Sequence, residues 1–268
     1  MIGDPVITIG HPGFLDPVYR RRRNEIARQA SVHQAHDTVP DVHYTPDENR
    51  LWRDIFFALR PVQQVHACKR YEAAIGRVGI PVNHIPQLSF LNSQLSNTTG
   101  FQMSPVAGLV SSLEFLSALR ESRMLSTQYI RHHSTPGYTP EPDIVHEVMG
   151  HAVMFFDEEY CELTRAFGEA AVNTSPSNLP ALERLYWYTI EFGVIREEGE
   201  LKAFGAGLLS SASEMVKMHN VNHVPLNHQQ VFMTPYDTQD MQPTLFVAES
   251  FEDLRVRCLQ GLDAIRIG

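Results

Sequence analysis

A single carboxylate in the most apolar helical stretch constrains this chain more than any other feature. In Tyr186-Trp187-Tyr188-Thr189-Ile190-Glu191-Phe192-Gly193, Glu191 lies among aromatic and β-branched residues. A charge in such surroundings is costly unless it is paired or coordinates a cation. The fold must therefore bring either an arginine or a metal to Glu191, and a salt bridge is the simpler of the two.

The segment His146-Glu147-Val148-Met149-Gly150-His151 offers the other. It resembles a zinc-protease pattern in composition but not in spacing. Those proteases place two histidines at i and i+4 on one helix face, with the glutamate as base. Here the separation is five residues, which turns the side chains apart by about 140° on an ideal helix at about 100° per residue. Both reach one ion only if His151 lies at a helix end or a local widening rotates it back, and Gly150 makes such a distortion cheap. Two neutral imidazoles and one carboxylate with open positions form the donor set of non-haem Fe(II) oxygenases. Three protein ligands leave adjacent positions for dioxygen and a cosubstrate. On spacing alone, two unrelated helix histidines remain the alternative.

Around these segments the sequence reads as one domain, residues 1–268, mainly α with a few short β-strands. Its first 45 residues read as a looser N-terminal arm. A helix begins near Pro17. Its YRRRR run continues into NEIARQA, whose apolar and acidic members at helical spacing make the arginines a solvated helix face rather than a nucleic-acid arm. Leu51, Trp52, Ile55, Phe56 and Leu59 give one buried face over 49–59, and Val65, Cys68, Tyr71, Ala74 and Ile75 repeat the pattern over 61–78. Further helices are expected over 86–96, with Pro86 at the first position, over 113–121 and over 179–193. Residues 127–143, with three prolines and a glycine, read as an extended loop. Asp143 supplies the N-cap for the helix that carries both histidines. The AFGAGLLSSASEM run reads as a loop feeding another helix, and strand candidates cover 202–204 and 244–247.

Composition excludes more than it selects. With 43% hydrophobic and 20% charged residues, 268 residues bury a sizeable core without disulfides. A net charge of −9 gives no electrostatic reason to expect nucleic acid or an anionic membrane as a partner. No apolar stretch approaches the length of a membrane span. The opening MIGDPVITIGHPGFL lacks the basic start and apolar core of a secretory leader. Cys68, Cys161 and Cys258 are scattered and odd in number, as expected of reduced thiols in a cytoplasmic protein.

Longer motifs sharpen the reading. YIRHHSTPGYTPEPDIVHEVMGH, YWYTIEFGVIREEGELKAFGAGLLSS and FVAESFEDL closely resemble the tetrahydropterin-dependent aromatic amino acid hydroxylases, the family of phenylalanine, tyrosine and tryptophan hydroxylases. The resemblance extends through DPVYRRRRNEIA, VHACKRY, IPQL and TGFQMSPVAGLVSS, covering nearly the whole chain as the catalytic domain alone. It implies neither the regulatory domain nor the tetramerisation helix of the animal enzymes, and a monomer or dimer is expected.

The resemblance implies iron on His146, His151 and Glu191. It implies a tetrahydropterin along Gly108, Leu109, Val110, Ser111 and Ser112, stacked on Phe115 with Glu147 and Tyr186 nearby. Glu147 then supports the ligands from behind and is not a fourth one. For a free aromatic amino acid it implies Arg131 at the α-carboxylate, where a planar two-pronged donor suits the task. Thr139, Pro140, Glu141 and Pro142 become a rigid loop bordering the pocket. Trp187 and Phe192 become walls for the ring, with Gly207, Ser210 and Ser211 near the substrate backbone. Without the resemblance, Arg131 reads as a loop arginine in a surface ion pair, and Phe115 and Trp187 as core. No side-chain acid, base or nucleophile can hydroxylate an aromatic C–H. The implied reaction therefore draws on Fe(II), O2 and the reduced pterin, while the protein positions the reactants and excludes water.

Several positions depart from the family pattern. Arg120 to Leu125 replace an AFRVF-like run, and Met124 replaces an aromatic expected near substrate or pterin. GHVP becomes GHAV at residues 150–153, and Glu183 stands where a small residue is usual near the pterin. Trp187 matches phenylalanine and tyrosine hydroxylases better than tryptophan hydroxylases. Thr238, next to Asp237, replaces an aspartate characteristic of tyrosine hydroxylases. Phenylalanine is the expected substrate, with para- and meta-hydroxylation both open. A zinc-dependent hydrolase using Glu147 as base and a non-catalytic pterin- or metal-binding protein are the rival classes.

Overall fold

A computed structural model describes residues 7, 10–33, 38–238 and 241–267. The expectation about a secretory leader falls mostly outside the described residues. Asp16 opens the first helix, α1 (Pro17–Ser31), by accepting from the backbone N–H groups of Val18 and Tyr19, with Pro17 preset for the first turn. Within the stretch read as a looser arm, α1 buries Ile26, Ala27 and Ala30. The arginine run is not one solvated face: Arg20 and Arg21 are exposed, whereas Arg23 is buried and pairs with Glu141 at 2.5 Å. Its guanidinium also lies over the Tyr129 ring. A partner 118 positions away pulled it inside.

Helix α2 (Pro46–His66) starts with a reciprocal capping box between Thr45 and Glu48 and buries Trp52, Ile55 and Leu59. The pattern over 61–78 is split. Ala67 and Cys68 are extended, bridged to Ala203, and α3 (Lys69–Val78) begins afresh. That break resets the periodicity, which leaves Val65 exposed. Helix α4 (Leu88–Leu95) starts after Pro86 because Gln87 stays extended, its side-chain amide pairing both backbone groups of Val42.

Strands β1 (Gln102–Pro105) and β2 (Arg123–Ser126) pair in parallel across the connecting helix α5 (Ser112–Arg120). Helices α6 (Glu158–Asn173) and α7 (Leu179–Tyr186) follow. A hairpin of β3 (Val194–Glu197) and β4 (Glu200–Ala203) turns on Glu198 and Gly199, both at positive φ, the backbone a two-residue hairpin loop requires. The AFGAGLLSS run is itself partly helical, giving α8 (Ala206–Leu209) before α9 (Ala212–Lys217). Strand β5 (Asn222–Pro225), α10 (His228–Met233), β6 (Thr244–Ala248) and α11 (Phe251–Ile267) complete the order.

The larger sheet runs β4-β3-β6-β5, antiparallel in its hairpin and parallel elsewhere. One cluster of buried apolar side chains joins the helices to both sheets. The chain is mainly α with few short strands, as expected. Among the described residues no helix is long and apolar enough to cross a membrane.

Candidate metal centre and its cavity

Asp143 caps the segment that carries the histidines, its Oδ1 accepting from the His146 N–H at 3.1 Å. His146–Ala152 then winds as a π-helix, in which backbone bonds reach five residues rather than four. Widening, not a helix end, brings His151 round beneath His146. Glu191 closes a second π-turn, Trp187–Glu191, so the helix expected over 179–193 is α7 plus this wider turn.

Short helix α8 lies against both turns, and glycines permit the approach. A Cβ at Gly150 would sit 2.7 Å from the Ala206 carbonyl oxygen, and one at Gly205 2.3 Å from the Glu191 carbonyl oxygen. Gly150 therefore supplies room as well as conformational freedom. Gly207 faces the Phe192 ring, where a Cβ would lie 2.8 Å from Cζ.

The two turns bring His146, His151 and Glu191 together. His146 Nε2 and His151 Nε2 are 3.1 Å apart, and Glu191 Oε1 lies 3.2 Å from His151 Nε2. Glu191 Oε2 is 3.6 Å from His146 Nε2. Three donors at mutual right angles about 2.1 Å from an ion stand about 3 Å from one another. The spacing therefore fits one divalent cation held on one face, with other positions open. Among the described residues this is the one cluster of three such donors.

Hydrogen bonding prepares the donors. Ser210 Oγ donates to the Ala206 carbonyl at 2.8 Å and receives the His146 Nδ1 proton at 3.0 Å. This assignment follows from the network and leaves the Nε2 lone pair toward the centre. His151 Nδ1 is buried without a partner among the described residues. Burial pushes His146 down to about 4, opposed in part by Glu191. Burial alone would raise the Glu191 carboxyl, but His151 and His146 hold it below its ordinary value. Glu147 faces differently: its Oε1 accepts from the Thr127 N–H and hydroxyl, its Oε2 has no partner among the described residues, and burial lifts it to about 7.

These groups open into a cavity of about 460 Å³. Gly108, Leu109, Val110, Ser112, Phe115, Glu147 and Tyr186 line one side. Phe115 meets Tyr186 edge-on at 5.6 Å. Arg131, Thr139, Pro140, Glu141, Pro142, Trp187, Phe192, Gly207, Ser210 and Ser211 line the remainder, with His146 and Glu191 at the floor. Of the residues singled out by sequence, His151 stands behind the cavity surface, and Ser111, which caps α5, does not line it.

Arg131 is not in a surface pair. It is buried, and Asp143 already takes its Nε and Nη2 at 2.9 and 2.7 Å, leaving Nη1 near the Pro136 carbonyl. Asp143 thus ties this arginine to the first turn of the histidine helix. Met124 is a correction. It packs in the core on β2, and its neighbour Leu125 faces the cavity instead, because successive strand residues point to opposite sides.

Sequence reasoning missed Tyr236 and Glu214, along with Val106, Leu116, Leu125, Thr127 and Tyr138, among the lining residues. Tyr236 stacks on Trp187 at 4.6 Å and 22°, so that Trp187 lies between Tyr236 and Phe192. Its surroundings, TPYDTQD, carry no periodicity that would mark it. Glu214 sits at the third position of α9 behind Ser211, an S-x-x-E spacing that reads as an ordinary capping box.

Comparison with known proteins agrees with this geometry. The pattern of the biopterin-dependent aromatic amino acid hydroxylases matches residues 2–263, and the chain belongs to that family. It is 38% identical to the tyrosine 3-monooxygenase of Bos taurus over 260 residues, covering 94% of this chain and 52% of that protein. It is 44% identical to the chloroplastic phenylalanine 4-monooxygenase of Physcomitrium patens over 212 residues, 79% of this chain and 54% of that one. The chain thus spans about half the length of the curated relatives it matches. Among solved structures, the phenylalanine hydroxylase of Legionella pneumophila superposes with a TM-score of 0.79 at 31% identity, covering 84% of this chain and 91% of that chain. The Chromobacterium violaceum phenylalanine hydroxylase carrying iron(III) and 7,8-dihydrobiopterin gives 0.81 at 26% identity, covering 92% and 91%. Membership of a hydroxylase family leaves the zinc-hydrolase reading without support.

Proposed function

We propose that this chain is an iron- and tetrahydropterin-dependent monooxygenase that hydroxylates the ring of a free aromatic amino acid, with phenylalanine as the substrate. The observation that carries the reading is the convergence of His146, His151 and Glu191 at the floor of a cavity walled by Arg131 and Trp187. Fe(II) held there with a reduced pterin supplies the electrons that let O2 react with an aromatic ring. The chain's own residues do the rest. His146, His151 and Glu191 hold the ion on one face. Phe115 and Tyr186 offer an aromatic corner for the pterin, and Glu147 Oε2 and Tyr186 Oη are buried polar atoms free to meet it. Arg131, already oriented by Asp143, presents its remaining donors to an α-carboxylate. Trp187 and Phe192, backed by Tyr236, confine a flat ring beside the floor and keep water from it.

Thr238, which lines the cavity in place of an aspartate characteristic of tyrosine hydroxylases, favours phenylalanine over tyrosine. We read the described residues as one catalytic domain, supported by their single core cluster. Three buried free cysteines support a reducing, cytoplasmic setting, and a monomer or dimer is the expected assembly. The test is oxygen uptake by the Fe(II)-loaded protein with tetrahydropterin and phenylalanine. Its product is then compared by chromatography and mass spectrometry with ortho-, meta- and para-tyrosine. Para-tyrosine is the expected product, and meta-tyrosine would keep the reaction but move the attacked carbon. Absence of pterin-dependent oxygen uptake with phenylalanine, tyrosine and tryptophan alike would overturn the reading.

A further inference from the structure

A free amino acid carries two charges on one carbon, so a site that holds its carboxylate must also meet its ammonium group. Arg131 marks the carboxylate end in the function proposed above, on which this inference rests. An unpaired ammonium in a buried cavity is costly, and a carboxylate beside Arg131 is the chemistry that relieves it. Most acidic groups lining the cavity are committed elsewhere. Glu191 belongs to the three-donor floor, Glu147 is held at Thr127, and Glu141 is paired with Arg23. Glu183 lies on α7 one turn before Trp187, and Asp237 follows Tyr236, the residue stacked on Trp187.

Glu214 is different. It is buried, lines the same cavity as Arg131, and comes close enough to feel the guanidinium charge. No arginine or lysine forms an ion pair with it among the described residues. Nor does helix capping use its carboxylate. The Ser211 N–H, which a capping box would send to Glu214, goes to the Leu208 carbonyl at 3.0 Å. Ser211 caps α9 through its own hydroxyl, which also lies 3.3 Å from the Gly137 carbonyl on the Arg131 loop. The carboxylate therefore lines the cavity that Arg131 also lines, with the Ser211 hydroxyl as its hydrogen-bond partner.

We propose that Glu214 receives the α-ammonium group of the amino acid whose α-carboxylate lies at Arg131. It is a substrate-positioning residue that separates amino acids from simple aryl carboxylates. The test is calorimetric binding of phenylalanine and of 3-phenylpropanoate, which lacks only the amino group, to the Fe(II)-loaded protein and its Glu214→Gln variant. The wild-type protein should prefer phenylalanine. In Glu214→Gln, phenylalanine should weaken about 10- to 100-fold while 3-phenylpropanoate changes by less than about twofold, because one charged hydrogen bond is lost and nothing else. Glu214→Asp should restore part of the preference, and cooperative thermal unfolding of each variant establishes that it folds. Equal weakening of both ligands, or undiminished phenylalanine binding, would sink the proposal while leaving the amino acid site intact. Failure of the wild-type protein to bind phenylalanine at all would bring down the functional reading with it.

Discussion

At the floor of the cavity, His146, His151 and Glu191 turn their donor atoms toward one another, with no other partner on the inner side. At the amino acid wall, Arg131 is already neutralised by two hydrogen bonds from its fork to Asp143. The floor is thus incomplete without a cation, whereas the wall's one cation, Arg131, is paired without a ligand. This difference separates tight binding from exchangeable binding. A doubly charged ion satisfies three donors at once, while an amino acid gains only the donors that Asp143 leaves over. On the proposed function, each turnover would release a product from the wall and keep the metal at the floor.

Removing a floor donor is the most severe way to break the contrast. Glu191→Ala should abolish hydroxylation and iron retention, leaving a folded protein with an ordinary circular dichroism spectrum. Activity and metal content near wild type would remove Glu191 from the floor.

The glycines around α8 test whether floor geometry depends on packing. In Gly150→Ala the new Cβ meets a backbone oxygen of Ala206 at 2.7 Å, which cannot swing aside. A loss of about 1–3 kcal/mol in urea unfolding, with weaker iron binding, is expected. Gly207→Ala meets the edge of the Phe192 ring, which can tilt, and approaches the Glu191 carbonyl oxygen only to 3.1 Å, so its cost should stay near about 1 kcal/mol with iron retained. Equal effects from the two would mean that α8 does not set the floor.

Much of this floor is legible in the sequence, and the reason is physical. A carboxylate among aromatics demands a counter-charge, and two histidines five apart demand a widened turn if they share an ion. Both demands are local, and the π-turn at His146–Ala152 meets them. Arg23 shows the opposite case. Nothing in YRRRR marks its fourth arginine for burial, because Glu141 and Tyr129 reach it only through the tertiary fold. Tyr236 is hidden for the same reason: its stacking on Trp187 joins a polar loop to a helix end far away in sequence. Glu214 was masked by a spacing that fits a cap. The split at Ala67 and Cys68 likewise follows from a bridge to Ala203 that no window of neighbouring residues contains.

On the wall, Arg131→Lys keeps a cation for Asp143 and the cap on the histidine helix, but loses the planar fork. Phenylalanine binding should fall about tenfold, because one ammonium cannot serve two carboxylates as a guanidinium does. Iron content should not change. Iron loss in this variant would show that the wall and the floor are one unit joined through Asp143, which erases the contrast.

In the metal-free protein a further effect carries a definite sign. Burial raises the Glu214 carboxyl from 4.5 to about 7, with Ser211, Lys217 and Arg131 opposing only in part. A group whose folded value is raised gives its full stability below the unfolded value and loses it as pH climbs to the folded one. The Glu214 contribution should therefore fall by on the order of 3 kcal/mol between pH 4.5 and about 7 and then level, while His146, pushed down to about 4, acts in the opposite sense and cancels between the two proteins. Glu147 is raised for the same reason and adds to this decline, but it is present in both proteins and drops out of a comparison. Relative to wild type, Glu214→Gln should gain stability from pH 5 to pH 8 in urea melts without phenylalanine. A parallel pair of curves would mean that Glu214 is already ionised in the empty wall, which would make the wall no more self-sufficient than the floor.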